Sequence, residues 1–344
     1  MSRLNIIVDA MGGDLAPREV VRGCVRAASA LGVNITLVGQ ASAIQKELEA
    51  SSERSDRISV VHASEVITGE DEPTVAIRQK KDSSLRVGLT MLHHDEGDAF
   101  VSAGNTGALI AGATLIVKRI KGVRRVALAP VMPTSSGCFL LVDAGANTEC
   151  SPVFLRQFAI MGAIYMEKVM NIARPRVALV NIGAEEEKGT PVIREAAQLL
   201  QHLPLHYTGY IEARDIPQGA ADVVVCDGFT GNVILKFMEG MGIVFSDMLK
   251  RVFYKNTFTK VSALLVKDGL RQLKKTMDYT EYGGAPILGV TKPVIKAHGS
   301  SNAKAFYHAV RQAKEAVENG LTGEIAANIQ RFGEHSPESE AANE

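Results

Sequence analysis

The amino-acid sequence predicts an α/β protein, a doubly wound α/β/α sandwich with a mostly parallel sheet. Short apolar runs alternate with segments of helical periodicity along the chain. Several runs end in Gly, Asp or Asn, which is typical of parallel strands whose carboxyl ends carry binding loops. The hydrophobic content is 46%, enough for a sizeable core. The 344 residues therefore form either one large unit or two domains that share a cleft.

Seven apolar runs are predicted to be strands. In chain order they are NIIVD (5–9), ITLVG (35–39), ISVVH (58–62), AFVSA (99–103), CFLLVDAG (138–145), RVALVNIG (176–183) and DVVVCDG (222–228). No Pro/Ser-rich linker divides the chain, so we predict a single catalytic unit over residues 1–333. Residues 334–344 have the composition of a disordered tail.

The composition argues against several classes of protein. Its 38 basic and 38 acidic residues cancel, so no global field attracts nucleic acid. The four cysteines lie far apart without a C-x-x-C pair, which indicates a reducing compartment and neither a disulfide framework nor a structural zinc site. A strand begins almost at once, and the longest apolar run, Ala108 to Val117, is too short to span a bilayer. We therefore expect a cytoplasmic protein.

Three glycine-containing loops are predicted to bind an anion, because each precedes a helical pattern and helix N-termini present free N–H groups. The candidate substrate-binding residues in these loops are Gly12, Gly13, Asp14, Ser102, Gly104, Asn105, Thr106, Gly107, Asp227, Thr230, Gly231 and Asn232. Residues 98–110 match residues 222–234 at six of thirteen positions, which suggests a duplication without proving it. Alternatively, Ser102, Asn105 and Thr106 only cap a helix, and Asp227 and Asn232 only fix the geometry of their loop.

Familiar catalytic motifs are missing. The chain has no G-x-x-x-x-G-K-[ST], no G-x-S-x-G and no H-E-x-x-H, and its single G-x-G at Gly240 and Gly242 lacks a third glycine. We therefore expect no metal and no cofactor. Donor-rich loops without a dedicated nucleophile suit a reaction in which the anion itself is the nucleophile.

Eight runs, in order along about 330 residues, resemble the bacterial phosphate acyltransferase (PlsX) family. They are DAMGGD, RQKKDSSL, VSAGNTGALIAGA, VDAGANTEC, NIGAEEEKGT, CDGFTGNVILK, YGGAPILGV and IKAHGSSNAKAF. The resemblance implies transfer of a fatty acyl group from acyl carrier protein to inorganic phosphate, giving acyl phosphate for phospholipid synthesis. It also implies a homodimer with a fold like those of the isocitrate and isopropylmalate dehydrogenases and phosphotransacetylase.

The chemistry of this reaction fits the residues. Phosphate near neutral pH is already negatively charged, so it needs positioning more than a strong base, and attack on a thioester builds an oxyanion that needs preorganised donors. The leaving thiol has a pKa of about 8.5 and departs with little acid assistance. A Ser-His-Asp triad is unnecessary.

Three side chains are candidates for catalysis. Lys81, in RQKKDSS, either supplies a phosphate clamp with the residues that follow it or belongs with Lys80 to a solvated helix face. Lys188, in EEEKGT, lies beside a glycine that permits close approach to an anion. His298 either donates to the oxyanion or thiol, or is a structural histidine. Lys304, in the same run as His298, is a candidate substrate ligand.

Cys150 raises the possibility of an acyl-cysteine intermediate. A nucleophilic cysteine needs a lowered pKa, and no histidine stands near it in the sequence. We predict a small buried thiol.

A basic amphipathic segment, predicted over residues 243–278, protrudes as a helical extension. Eight basic residues and one acidic residue lie between Lys250 and Lys275. Three roles are open for this segment. It packs on the body or across a dimer, or it receives the acidic acyl carrier protein. Alternatively, as the family resemblance implies, it contacts an anionic membrane, where the product would pass to a downstream membrane acyltransferase. The residues assigned to these roles are Lys250, Arg251, Phe258, Val261, Leu265, Lys267 and Arg271.

Two alternative functions stay open at this point. One is a phosphotransacetylase-like enzyme that uses a short acyl-coenzyme A. The other is a non-catalytic phosphate or nucleotide sensor, which would bind anions without releasing a thiol from any donor.

Overall fold

The fold is that of a computed structural model, which describes residues 3–51, 55–276 and 279–333. Its strands are β1 (Asn5–Asp9), β2 (Asn34–Gly39), β3 (Ile58–His62), β4 (Ala99–Ser102), β5 (Ala127–Leu128), β6 (Val131–Pro133), β7 (Cys138–Val142), β8 (Arg176–Val180), β9 (His206–Ile211), β10 (Val223–Val225), β11 (Ala285–Leu288) and β12 (Val294–Lys296). Its α-helices are α1 (Arg18–Leu31), α2 (Ala41–Ala50), α3 (Pro73–Gln79), α4 (Ser84–His93), α5 (Thr106–Gly112), α6 (Pro152–Lys168), α7 (Pro191–Gln201), α8 (Gly228–Phe253), α9 (Thr257–Leu265), α10 (Lys267–Thr276), α11 (Ala303–Glu318) and α12 (Leu321–Gly333). The predicted α/β class is confirmed.

The strands form two sheets. The larger has the order β3-β2-β1-β4-β12-β11-β5 and the smaller the order β6-β7-β10-β8-β9. Strands β1 to β4 and β12 are parallel, as are β7 to β10, whereas β11 and β6 run antiparallel to their neighbours. All seven predicted runs are strands. The sequence did not predict β5, β6, β9, β11 or β12, of which all except β9 are only two to four residues long.

Central strands are apolar on both faces because helices cover both sides of the sheets. In β1, Ile6 and Val8 belong to one buried cluster and Ile7 to another. In the smaller sheet, Val223 and Val224 divide in the same way between two clusters. This two-sided burial is characteristic of parallel sheets. It leaves the carboxyl ends of the strands as the place where polar side chains can meet.

The predicted extension begins inside a longer helix. Helix α8 starts at Gly228, directly after β10, and runs for 26 residues before α9 and α10 continue the excursion. The boundary predicted near residue 243 therefore falls within α8. None of the helices in the described residues is long and apolar enough to cross a membrane. The predicted tail, 334–344, lies outside the described residues.

Candidate active site

Three loops at the carboxyl edge of the larger sheet meet in what we call the platform: residues 9–14, 102–105 and 296–300. A methyl group on Gly12 would lie 2.6 Å from the Asp9 Oδ2 atom and 2.6 Å from the Gly104 nitrogen. The Asp14 nitrogen donates to the Gly299 carbonyl at 2.8 Å. Because β1, β4 and β12 are adjacent and parallel, their loops lie side by side. The structure thus brings together two predicted loops and the segment that carries His298.

Asp9, the last residue of β1, is a buried carboxylate at the base of the platform. The Ser102 hydroxyl donates to the Asp9 Oδ2 atom at 2.7 Å, and the Gly104 nitrogen donates to the same hydroxyl at 2.9 Å. Desolvation raises the pKa of Asp9, although hydrogen bonds from Ser84 and Ser102 oppose this. The Ser102 hydroxyl and the Gly104 nitrogen are therefore engaged in holding the loops together.

Lys296 lies at the end of β12 and is also buried. Its Nζ atom donates to the Ala103 carbonyl at 3.2 Å and to the Ala297 carbonyl. Desolvation lowers the pKa of Lys296 to about 8, while the negative charge of Asp9 raises it. A lysine with this pKa still carries a positive charge at neutral pH, so it makes the platform attractive to an anion.

The hydrogen bonds of His298 determine its tautomer. The Ser300 nitrogen donates to the His298 Nδ1 atom at 3.2 Å, and the Ser300 hydroxyl lies 2.8 Å from the same atom. Since Nδ1 accepts, the neutral ring carries its proton on Nε2, which lies 4.0 Å from the Glu239 Oε1 atom. Desolvation lowers the pKa of His298, and Glu239 opposes this. His298 is therefore a neutral N–H donor at neutral pH.

Helix α8 connects the platform to the smaller sheet. It starts at the carboxyl end of β10, and about three turns later it brings Glu239 beside His298. Lys236 on the same helix pairs with Glu239, with 2.8 Å between Nζ and Oε2. The positive charge of Lys236 lowers the pKa of both Lys296 and His298, which places it close to them. The first three turns of α8 thus join the platform to the loop after β10, and the space between these two regions is the candidate substrate cleft.

The loop after β10 is internally satisfied. Asp227 caps α8: its Oδ1 atom accepts from the Thr230 nitrogen at 2.9 Å and its Oδ2 atom from the Thr230 hydroxyl at 2.8 Å. A methyl group on Gly231 would lie 1.9 Å from the Asp143 carbonyl oxygen, so only glycine fits there. Asn232 faces Gly145. Asp227 and Thr230 therefore fix the geometry, and Asn232 is the side chain of this loop left to reach a ligand.

A second buried carboxylate, Asp143, holds the loop after β7. It accepts from the backbone nitrogens of Leu128, Gly145, Ala146 and Asn147 and from the Asn147 side chain. Desolvation raises the pKa of Asp143, and these donors lower it. Such dense donation rigidifies the loop that faces Asn232.

Two of the predicted polar residues have structural partners. The Asn105 Oδ1 atom caps α5 by accepting from the Ala108 nitrogen, and its Nδ2 atom donates to the carbonyls of Thr68 and Asp71. Lys80 pairs with Asp71 at 2.7 Å. Asn105 therefore makes the contact of a helix cap. Lys80 holds the 66–71 loop through Val66 and Asp71.

The remaining predicted lysines differ in their surroundings. Lys81 is exposed at the end of α3. Lys188 is exposed in the loop after β8, where its carbonyl accepts from the Asn181 Nδ2 atom at 3.1 Å, and its ammonium group pairs with no carboxylate in the described ranges. Lys304 pairs with Glu281 on the segment that returns from the extension.

Four residues of the candidate site were not predicted from the sequence, namely Asp9, Lys296, Lys236 and Glu239. A lysine inside the apolar run VIKA, and an aspartate closing the apolar run NIIVD, are the signals that could have revealed the first two. Lys236 and Glu239 sit on an amphipathic helix, where charged residues are ordinary, so only the fold reveals their position.

Cys150 is poorly suited to nucleophilic attack. Its pKa is raised to about 12, first by desolvation and then by the negative charges of Asp143 and Asp227. A thiol with this pKa is protonated at neutral pH, and a thiolate is the reactive form.

We expect Cys150→Ser to keep turnover within about 2-fold of the wild type, because an unreactive thiol contributes only packing. Steady-state thiol release with phosphate as acceptor measures it. A loss of 100-fold or more would instead establish an acyl-cysteine step.

Comparisons with known proteins identify the family and the fold of the chain. The fatty acid synthesis protein family matches residues 4–323. The phosphate acyltransferase of Alkaliphilus oremlandii (strain OhILAs) is 52% identical over 331 residues, covering 96% of this chain and 99% of the relative. A phosphotransacetylase from Streptococcus pyogenes superposes with a TM-score of 0.64 at 17% identity, covering 92% of this chain and 94% of that chain. A 4-hydroxythreonine-4-phosphate dehydrogenase from Klebsiella pneumoniae superposes with a TM-score of 0.53 at 14% identity, covering 92% and 98%.

Fold and relatives together define the class, an α/β/α enzyme of the acyltransferase type. The chain belongs to the fatty acid synthesis protein family, and the predicted family resemblance is confirmed.

Proposed function

We propose that this enzyme transfers a fatty acyl group from acyl carrier protein to inorganic phosphate by direct attack of phosphate on the thioester. The acyl transfer to phosphate follows from the family and its phosphate acyltransferase relatives. The observation that supports the direct mechanism is the platform itself, which holds the buried Lys296 and the neutral His298 beside glycine-containing loops.

Phosphate binds at the backbone N–H groups of the platform, within the field of Lys296. One phosphate oxygen attacks the thioester carbon, and the carbonyl oxygen becomes an oxyanion that accepts a hydrogen bond from the His298 Nε2–H group. The new C–O bond stays while the C–S bond breaks. The electron pair leaves with sulfur, and the thiol pKa of about 8.5 makes the thiolate a good leaving group. The thiolate then takes a proton from solvent, because this pKa lies above neutral pH.

Lys188 and Asn232 approach the substrates from the smaller sheet in this proposal. Both lie in loops at the carboxyl edge of neighbouring parallel strands, β8 and β10. A cation and an amide there would balance phosphate charge from the side opposite the platform. Lys81 remains a candidate phosphate-binding cation in this proposal. It lies three residues before Ser84, whose side chain hydrogen-bonds Asp9.

The experiment that tests the function measures thiol release and acyl phosphate formation from long-chain acyl carrier protein and from acetyl-coenzyme A, each with phosphate. We expect the carrier-bound long chain to be strongly preferred. Preference for acetyl-coenzyme A would favour the phosphotransacetylase-like alternative. Anion binding without thiol release from any donor would favour a sensor.

The helical extension supports a further proposal of peripheral membrane contact. The side chains of Phe258 and Leu265 are 87% and 84% exposed on α9, among exposed lysines. Among the described residues, Lys250 pairs with Asp247 and Arg271 with Asp268, each three positions away, and Arg251 and Lys267 pair with no carboxylate. Val261 belongs to the same helix, but its side chain lies outside the described residues. Basic helices with protruding apolar side chains bind anionic lipid surfaces.

We expect Leu265→Glu, with Phe258→Glu as a second variant, to reduce binding to anionic vesicles by about 10-fold or more, because a carboxylate enters the apolar contact. Co-sedimentation with vesicles rich in phosphatidylglycerol measures this, and turnover in solution should be unchanged. Retained vesicle binding in both variants would assign the extension to packing.

A homodimer is proposed on similar grounds. Helix α8 exposes apolar side chains along its length, namely Phe229, Val233, Phe237, Met241, Val244, Met248 and Val252. Their spacing of three to four residues forms one continuous stripe, which a second copy would cover. We place the enzyme in the cytoplasm, at the inner face of the membrane, with its acyl phosphate product passing to a membrane acyltransferase.

A further inference from the structure

A second concave surface lies outside the candidate active site. A groove of about 1110 Å³ opens between the 118–125 loop and helices α6, α7 and α12. Apolar side chains line much of it: Ile120, Val153, Phe154, Ile160, Leu199, Ile329 and Phe332. We call this surface the basic groove, for the charges on its rim.

The rim carries an unusual concentration of positive charge. Lys118, Arg119, Lys121, Arg124 and Arg125 fall within eight residues and are all exposed, and each of them except Lys118 lines the groove. No Asp or Glu occurs anywhere between residues 99 and 142. In the described part of the chain none of the five pairs with a carboxylate, and Glu195 is the acidic residue that lines the groove. Unpaired cations on a concave surface attract an acidic partner.

The basic groove adjoins the candidate active site. The Val126 carbonyl, directly after the basic loop, accepts from the Asn147 Nδ2 atom at 2.8 Å. The Arg125 guanidinium stacks on the Phe154 ring at 5.6 Å and acts on the pKa of Cys150. A partner in the groove would therefore lie next to the Asp143–Asn147 loop, which faces Asn232.

The shape of the groove distinguishes a protein from a membrane. Its apolar groups line a concavity beside one cationic rim, whereas the large apolar side chains that protrude in the described ranges concentrate on α8 and α9. A bilayer surface needs protruding groups, while an acidic helical protein can place its charges against the rim and an apolar group inside.

We propose that the basic groove docks the acidic acyl carrier protein, so that its thioester reaches the neighbouring cleft; this inference rests on the proposed function. Docking is electrostatic: the rim steers the acidic protein, and the association weakens with salt. The extension then serves the membrane and the groove serves the donor protein.

The test is the double variant Lys121→Glu/Arg124→Glu. We expect its apparent KM for long-chain acyl carrier protein to rise about 10-fold, because four units of charge change on the rim. The Kd for holo-acyl carrier protein should rise similarly, and the salt dependence of both should flatten. The KM for phosphate and the kcat at saturating donor should stay unchanged.

Two controls match this variant. Lys267→Glu/Arg271→Glu makes the same charge change on the extension and should leave the KM for the carrier protein unchanged. Lys121→Arg/Arg124→Lys keeps the charge and should behave as the wild type. If the wild type transferred no acyl group from the carrier protein to phosphate, the proposed function would be wrong. The Kd for the carrier protein would still test the groove.

The inference is overturned if an active wild type and the groove variant share the same KM and Kd for the carrier protein. It is also overturned if only the extension variant raises the KM and Kd for the carrier protein, because the carrier protein would then bind at α10. If the groove variant lost vesicle binding but kept the wild-type KM for the carrier protein, the groove would be a lipid-binding surface and the inference would be wrong.

Discussion

Replacing His298 with alanine is expected to lower kcat about 100-fold, with little change in phosphate binding. The neutral ring carries its proton on Nε2 because Nδ1 accepts from the Ser300 nitrogen at 3.2 Å, and in the proposed mechanism this N–H group donates to the oxyanion. That donor is already oriented before the oxyanion forms, so its loss raises the barrier and leaves the ground state largely untouched. Single-turnover thiol release separates the two effects.

The pH dependence gives this prediction a second signature. The pKa of His298 is lowered from 6.5, first by desolvation. The ring is therefore neutral at and above pH 6.5. Protonation at lower pH turns Nδ1 into a donor that repels the Ser300 N–H group and disturbs the loop. At a pH below 6.5 the wild-type rate should fall more steeply than the titration of phosphate itself requires, and the alanine variant should lack this additional fall.

His206→Ala is a suitable control, because this exposed histidine lies on β9, where its ring hydrogen-bonds the Arg174 carbonyl. It should keep full activity and the additional fall at low pH. If His298→Ala also keeps kcat, His298 is a structural residue of its loop.

Replacing Lys296 with methionine is expected to lower kcat/KM for phosphate about 100-fold and to destabilise the fold by about 3 kcal/mol. The change leaves the buried Asp9 without its nearby positive charge and deprives the Ala103 and Ala297 carbonyls of their donor. Both carbonyls belong to the platform, so anion binding and loop position are lost together. Phosphate saturation curves and denaturant unfolding measure the two effects.

The lowered pKa predicts how phosphate binding depends on pH. Lys296 loses its proton as the pH rises through about 8, so the KM for phosphate should increase above that value in the wild type. Lys296→Met should show a high KM at every pH and no such inflection. A wild-type KM that stays flat up to pH 9.5 would separate Lys296 from phosphate binding.

Lys292→Met serves as the matched control. Lys292 precedes β12 at its other end, where it pairs with Asp95 at 2.6 Å and donates to the Gly97 carbonyl. It should leave the KM for phosphate and its pH dependence unchanged, because that end of the strand lies away from the platform.

The platform illustrates which parts of the site could be predicted. Its glycines were evident because a turn after a strand and before a helix requires them, and Gly12 indeed packs against Gly104 with no room for a side chain. The roles of Ser102, Asn105 and Asp227 were ambiguous, since the same side chain can cap a helix or bind a ligand. In the structure Ser102 hydrogen-bonds Asp9, Asn105 accepts from the Ala108 nitrogen and Asp227 accepts from the Thr230 nitrogen, while their contacts with a ligand stay a prediction.

The sequence by itself determined the α/β class, seven of the strands, the family and the glycine loops, because these depend on local periodicity, turn chemistry and ordered motifs. Only the tertiary structure decided that the chain forms two sheets, that Asp9 and Lys296 lie beneath one platform and that α8 brings Glu239 to His298. Those contacts join residues up to 287 positions apart, as with Asp9 and Lys296. Burial and charge pairing at that separation depend on how strands are ordered in a sheet, which no local pattern encodes.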